Sequence, residues 1–279
     1  MNREYSTLSK IIFMFIFLLL ITYAVIIIYP LLWMVISGFK TNQELFLEPW
    51  GMPAKLLWSN YKMAWDVGVG KFFVNSLLVT SVSVTVTLFI SACCAFPLSR
   101  YEFKGQNIFL LIIVGGLMLA PQVSLISLFK LLQKFKIYNT YLALIVPYIA
   151  FRIPFTTFLI RSYMVSLPRE IEDSAYIDGC TSWRVFWNII LPMSKPIMAT
   201  SALLAAMSIW NEFMFALVFI EDSALRTIPV GIMNLRSTLS TDWTILLAAL
   251  TISALPMIIL FIIFQKQFIR GITQGGVKG

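Results

Sequence analysis

Residues 161–196 read RSYMVSLPREIEDSAYIDGCTSWRVFWNIILPMSKP, one charged island in an otherwise apolar chain. The island holds eight charges, Arg161, Arg169, Glu170, Glu172, Asp173, Asp178, Arg184 and Lys195, four of each sign. A basic amphipathic segment would lie on anionic lipid. A neutral, mixed-charge segment between apolar runs is suited instead to docking on another protein. Pro168 fits the first turn of a helix, where its fixed φ and missing N–H cost nothing. Glu170, Glu172 and Asp173 then complement the positive end of the helix dipole. Gly179 can take the left-handed conformation that closes a helix, so 168–178 is predicted as a short helix. Thr181 or Ser182 can cap a second one. In it Trp183, Phe186, Trp187 and Ile190 form a single apolar stripe, and Leu191-Pro192 ends it. The island is a helix–glycine–helix element, stiff enough to transmit a push.

Outward from the island, the composition defines the class. The chain of 279 residues is 59% hydrophobic and 12% charged, against about 25% charged in a soluble domain. Six apolar runs stand out, at 11–36, 72–96, 108–129, 141–160, 197–220 and 243–264. Each reaches the ~20 residues that a helix needs to cross a bilayer. The expectation is an all-α polytopic membrane protein with six transmembrane helices. A tail at 1–10 precedes a membrane domain at 11–266, which contains the loop 161–192, and a second tail follows at 267–279. The first run follows Arg3 and Lys10 but is too long for a signal peptide and has no A-x-A-like site after it, so it reads as a retained span.

Several chemistries are excluded. The chain has no histidine, which removes His-based triads, HExxH zinc sites and histidine proton relays. Its three cysteines, two of them adjacent at Cys93 and Cys94, give neither a disulfide framework nor metal-ligand spacing. The net charge of +8 has no basic face to carry it onto nucleic acid, because the cations sit at membrane boundaries where Lys and Arg are ordinary. With both termini inside, the inner segments hold eleven cations and the outer ones nine, Arg152 counting for neither. That asymmetry alone does not orient the chain.

The string Glu170-Ile171-Glu172-Asp173-Ser174-Ala175-Tyr176-Ile177-Asp178-Gly179, with Ile189-Ile190-Leu191-Pro192 after it, resembles the EAA motif of bacterial ABC importer permeases. That motif runs E-A-A, three residues, Gly, about nine residues, then I-x-L-P. Asp173-Ser174-Ala175 stands at the triplet, with Asp for Glu and Ser for Ala; the shorter carboxylate keeps the charge and loses reach. The resemblance extends over nearly the whole chain. Trp210-Asn211-Glu212-Phe213, Arg226-Thr227-Ile228-Pro229-Val230-Gly231 and the tail 270–279 look like the second permease subunit of maltose-type carbohydrate importers.

The resemblance implies a type I (MetI-like) ABC importer permease fold in a bacterial inner membrane, both termini cytoplasmic. It also implies the partners: a second, homologous permease, a dimer of cytoplasmic ATPase subunits, an extracytoplasmic solute-binding protein, a sugar substrate and the lipid bilayer, with no nucleic acid. The island becomes the coupling helix held in a groove of the ATPase. Glu170, Glu172, Asp173, Ser174, Ala175, Asp178, Gly179, Trp183, Ile189, Leu191 and Pro192 are its coupling residues, and Thr273, Gln274, Gly275 and Gly276 are the tail residues that reach the ATPase. No catalytic residue, metal or cofactor is expected in this chain. It has no G-x-x-x-x-G-K-[ST] to cradle phosphates, so ATP and Mg²⁺ belong to the partner ATPase.

Ionisable residues inside spans are functional-site hypotheses by default, and two are present, Arg152 and Glu212. Arg152 lies about eleven residues from the outer end of the fourth run and Glu212 about eight from that of the fifth. At 1.5 Å per residue their depths differ by only ~5 Å, so they could pair, and with Asn211 they are candidates for the translocation pathway. Pro121 interrupts the third run, and Pro147 and Pro154 flank Arg152; proline-broken spans often border cavities. Most aromatics fall to interface belts and lipid-facing packing. Two other readings stand beside the sugar importer. One is an ABC permease for a non-sugar solute such as a glycerol phosphodiester. The other is a stand-alone secondary transporter, which needs coupling-ion residues or inverted repeats that the sequence does not display.

Overall fold

In a bilayer an open chain satisfies its backbone only by coiling into helices, and among the described residues every regular element is helical. The computed structural model describes the backbone over 7–238 and 242–276, and side chains over 10–233 and 242–266. Four helical stretches are long and apolar enough to cross a membrane: Lys10–Ser37, Trp58–Arg100, Leu142–Val165 and Trp243–Lys266. Two further pairs pass the same test but are bent, Gln106–Leu117 with Pro121–Lys134 by 89° and Ser182–Met193 with Lys195–Trp210 by 72°. Counting each pair as one span gives six.

The chain clusters into two units, 1–69 with 234–254, and 70–233 with 255–279. The first contains α1 (Thr7–Ser37), α2 (Asn42–Leu47), α3 (Trp58–Ala64) and the start of the last helix, Trp243–Gly276. The apolar window of α1 has a mean hydropathy of 3.2 with none of its residues buried. It closes its own backbone and leaves its side chains to a hydrocarbon surrounding. Its C-terminal end is tied down by Lys40, which the sequence suggests is an ordinary boundary cation. Lys40 is instead 1% exposed, and its Nζ donates to the carbonyls of Glu48 and Pro49, both at 3.0 Å. Asn60 Nδ2 donates to the carbonyls of Gly38 and Lys40 at 3.0 and 2.8 Å, fixing the same turn. Asn42 accepts from the backbone N–H of Trp243 at 3.1 Å, capping the last helix.

The second unit is built on α4 (Gly70–Arg100), which lies along α7 (Leu142–Val165). Ser76, Thr80, Ser83, Thr87, Ser91 and Ala95 recur every three or four residues on α4, and all are buried. Small residues on one face let two membrane helices approach closely. Between α4 and α7 in sequence come α5 (Gln106–Leu117) and α6 (Leu125–Lys134), separated by a short turn that starts at Pro121. After α7 follow α8 (Glu170–Ile177), α9 (Ser182–Val185), a π-helical turn Phe186–Ile190, α10 (Leu191–Met193), α11 (Lys195–Trp210), α12 (Met214–Phe219) and α13 (Ile228–Thr238). The last helix, α14, runs Trp243–Gly276. Prolines 147 and 154 leave α7 continuous.

The fifth expected span is corrected. Residues 197–220 are not one helix, because α11 ends at Trp210 and α12 begins at Met214. The reason is local. Asn211 Nδ2 donates to the Met207 carbonyl at 2.7 Å, while the Glu212 carboxylate accepts the N–H groups of Phe215 and Ala216. Side chains thus replace the backbone ladder at the break. The last helix runs on into the segment 267–279. The helix continues through Gly276, the side chains of Thr273, Gln274, Gly275 and Gly276 lie outside the described ones, and so do residues 277–279.

The string Arg226–Gly231 finds its physical reason on α4. Asn75 Nδ2 donates to the carbonyls of Ala224 and Arg226, both at 2.9 Å, and Asn75 Oδ1 accepts from Tyr141 Oη at 2.8 Å. Ser76 Oγ accepts the Ile228 N–H at 2.8 Å, and Pro229 follows, where a missing N–H is harmless. The Phe72 ring occupies the place that a Cβ on Gly231 would take. Gly231→Ala should therefore lower the yield and melting temperature of the purified protein. Trimming the ring in a Gly231→Ala, Phe72→Leu double variant should restore much of the loss; a double variant no better than the single one would contradict this packing.

Candidate functional site

Two places carry chemistry, and both lie in the second unit. The first is the island. Helix α8 spans Glu170–Ile177, shorter by a residue or two at each end than the expected 168–178. Gly179 takes φ +80°, Cys180 N–H donates to Ala175 O at 2.9 Å and Gly179 N–H to Tyr176 O at 3.0 Å, the paired bonds of a left-handed helix stop. A Cβ on Gly179 would meet nothing within 4 Å, so this glycine answers to backbone conformation and not to crowding. Thr181 is the cap of α9, accepting from Arg184 N–H at 3.5 Å.

The two faces of α8 differ. Glu172 and Ala175 turn inward, whereas Glu170, Ile171, Asp173, Ser174, Ile177, Asp178 and Gly179 are exposed. Ala175 joins a core with Phe96 of α4, Ile160 and Met164 of α7, and Val185, Phe186 and Ile190; Ile189 and Leu191 pack against it partly buried. Pro192 is exposed. Of the expected apolar stripe, Phe186 and Ile190 are buried, Trp187 is partly covered and Trp183 is 64% exposed. Ile177 is 86% exposed. The outer surface therefore offers apolar knobs among carboxylates.

Glu172 is the seat of this element. Its carboxylate meets Arg100, the last residue of α4, at 2.5 Å, with both side chains about 5% exposed. Burial pushes the Glu172 carboxyl above its ordinary value, and Arg100 pulls it back. Arg100 also donates to Leu167 O at 3.4 Å, and Arg161 Nε donates to Leu98 O at 2.9 Å. Tyr101 and Tyr176 share a hydroxyl contact at 3.1 Å. These contacts seat α8 on the ends of α4 and α7. Arg100 was not legible as a site residue, because in the sequence it is one more cation at a membrane boundary.

The second place is a cavity of about 180 Å³. Arg152 and Tyr148 line it from α7, Ser208 from α11, Glu212 from the break, Phe215 from α12 and Gln122 from the turn after α5. The structure brings Arg152 and Glu212 to one cavity but does not pair them. Glu212 is taken by Tyr148 Oη at 2.6 Å, Phe215 N–H at 2.9 Å and Ala216 N–H at 3.3 Å. Asn211 does not line the cavity; it closes α11. Tyr148 and Phe215 stack with centroids 6.2 Å apart and planes 11° from parallel. Among the described residues no group of three or more His, Cys, Asp or Glu is arranged to hold a metal ion.

In the second unit a short helical element, α8, is seated on the ends of α4 and α7 by the Arg100–Glu172 pair and the Ala175 core. The comparisons give the family. Over residues 2–274 the chain matches the family described as binding-protein-dependent transport system inner membrane component, and it belongs to that family. It is 54% identical over 260 residues to the probable ABC transporter permease protein YurM of Bacillus subtilis, across 93% of this chain and 87% of that one. It is 33% identical over 260 residues to the diacetylchitobiose uptake system permease protein NgcG of Streptomyces coelicolor, across 92% and 86%. A bacterial ABC transporter that imports the acidic polysaccharide alginate has the same fold, with a TM-score of 0.80 at 21% identity, over 96% of this chain and 100% of that one. The chain is an ABC importer permease, an inner membrane component that is not itself catalytic.

Two outcomes are expected. Glu172→Gln leaves the Arg100 guanidinium buried without its counter-charge, a loss of about 3–5 kcal/mol, visible as a lower melting temperature; adding Arg100→Met should recover most of it. Glu212→Gln and Arg152→Met share no partner, so their effects on unfolding free energy should add to within about 0.5 kcal/mol. A coupling well above that would mean that the two charges do pair.

Proposed function

We propose that the chain is one of two different permease subunits in an ATP-driven, binding-protein-dependent importer of sugars or oligosaccharides. One observation carries the reading: α8 is clamped on its inner side by the Arg100–Glu172 pair, while its outer side presents Ile171 and Ile177 among Glu170, Asp173 and Asp178, with the exposed Trp183 of α9 following. An exposed apolar surface rimmed by charge is what a protein partner covers, and a separate ATPase, holding ATP and Mg²⁺, is the occupant that the EAA-like string calls for. Closure of the ATPase dimer pushes α8, and the push reaches α4 and α7 through the ion pair and the Ala175 core. Both termini face the cytoplasm, where Thr273, Gln274, Gly275 and Gly276 reach the ATPase. The bare apolar face of α1 meets lipid and the second permease. The diacetylchitobiose uptake relative supports a carbohydrate as cargo, with Arg152 and Glu212 beside its path.

The first test is to tag the chain, purify it gently from its native membrane and identify what accompanies it. A second six-span permease and a Walker-motif ATPase are expected. Gly179→Asp adds a charge where the chain itself leaves open space, and Asp tolerates the left-handed conformation better than most residues. The variant should express and insert, yet lose ATP-driven uptake and release the ATPase. A chain recovered alone, together with uptake untouched by Gly179→Asp, would sink the coupling reading.

A further inference from the structure

The α7 cavity contains a charge that the fold leaves unanswered. Arg152 is half-buried in the middle of a span, and among the described residues no hydrogen bond or ion pair holds its guanidinium. An unpaired cation at that position is costly, and such residues mark substrate or ion pathways. The one acid on the same wall is already engaged. Glu212 accepts one hydroxyl and two backbone N–H groups, which spreads its charge into α12 and Tyr148. Arginine's planar fork of five donors matches a carboxylate bidentately. Neutral hydroxyls would satisfy those donors but leave the charge uncompensated.

The other walls suit a sugar ring. The stacked Tyr148 and Phe215 rings, with Phe151 at 5.8 Å from Phe215, offer apolar faces to a pyranose, and Gln122 and Ser208 can bond to its hydroxyls. At about 180 Å³ the cavity is smaller than the ~300–1,000 Å³ of sites that enclose a whole drug-sized ligand, so it takes one unit of a longer molecule. We propose that this cavity is a subsite for a carboxylate-bearing saccharide unit, with the Arg152 guanidinium as the group that recognises the acid. The inference rests on the permease reading above and names the substrate class of that pathway.

The test compares one skeleton with and without its charge. The tagged protein, with whatever subunits accompany it but without the binding protein, is placed in lipid nanodiscs at neutral pH. It is then titrated with digalacturonate and with the dimethyl ester of digalacturonate by saturation-transfer NMR, a method that reads millimolar affinities. The wild-type protein should bind the acid at least tenfold more tightly than the ester. Arg152→Met should abolish that preference with little change for the ester, and Arg152→Lys should keep part of it. Equal affinities for acid and ester, or a preference that survives Arg152→Met, overturn the proposal. So does loss of the second permease on Arg152→Met, which would mean that a partner carboxylate answers the charge. Failure of the permease reading is scored apart, by the ATPase that does or does not come with the wild-type chain, and the titration reads the cavity in either case.

Discussion

The close contact of α4 with α7 is the constraint on which the second unit depends. On α4 the buried small residues Thr80, Ser83, Thr87, Ser91 and Ala95 leave room for a close neighbour, Ser91 Oγ reaching Ile153 O and Ala95 sharing a core with Ile160 and Met164 of α7, because in lipid helices are drawn together by fit and not by any gain from leaving water. Each end of α4 then holds a different functional element. At one end Asn75 and Ser76 receive the backbone leading into α13. At the other Arg100 receives Glu172 of α8. So α8 is seated on one end of α4, with α7 packed along it.

The same scarcity of water explains the irregular backbone. A helix interrupted within a membrane needs other groups to satisfy the N–H and C=O that its ladder abandons. At 211–213 those groups are Asn211 and Glu212. Glu212 is thus first a backbone partner. Its engagement is also what leaves Arg152 without a counter-charge among the described residues of the cavity they share. A structural requirement of the break creates the electrostatic character of the pocket.

Much of this was legible in the chain. The six apolar runs lead to helices at nearly the expected positions, since burial in hydrocarbon demands length and apolarity and nothing subtler. The island was legible in more detail, from the Thr181 cap to the left-handed Gly179, because caps and stops are read from one or two residues at a time. What stayed hidden involved residues far apart in sequence. Glu172 reads as one carboxylate among several in a first turn, yet it is the buried one. Lys40 reads as a boundary cation and is wholly enclosed. Arg152 and Glu212 have the right depths to pair, but depth along a helix says nothing about the direction in which a side chain points.

By itself, then, the sequence determined the class, the positions of the apolar runs, the local form of the charged island and the family to which the chain belongs. These follow from composition, periodicity and short-range chemistry, which act within a turn or two of helix. Only the tertiary structure decided which side of α8 is free, that Arg100 is its anchor, that the fifth run breaks at Asn211, and that among the described residues Arg152 stands unpaired beside aromatic rings. Each of those depends on which helices lie against one another, a choice settled by packing between segments that are distant in the chain.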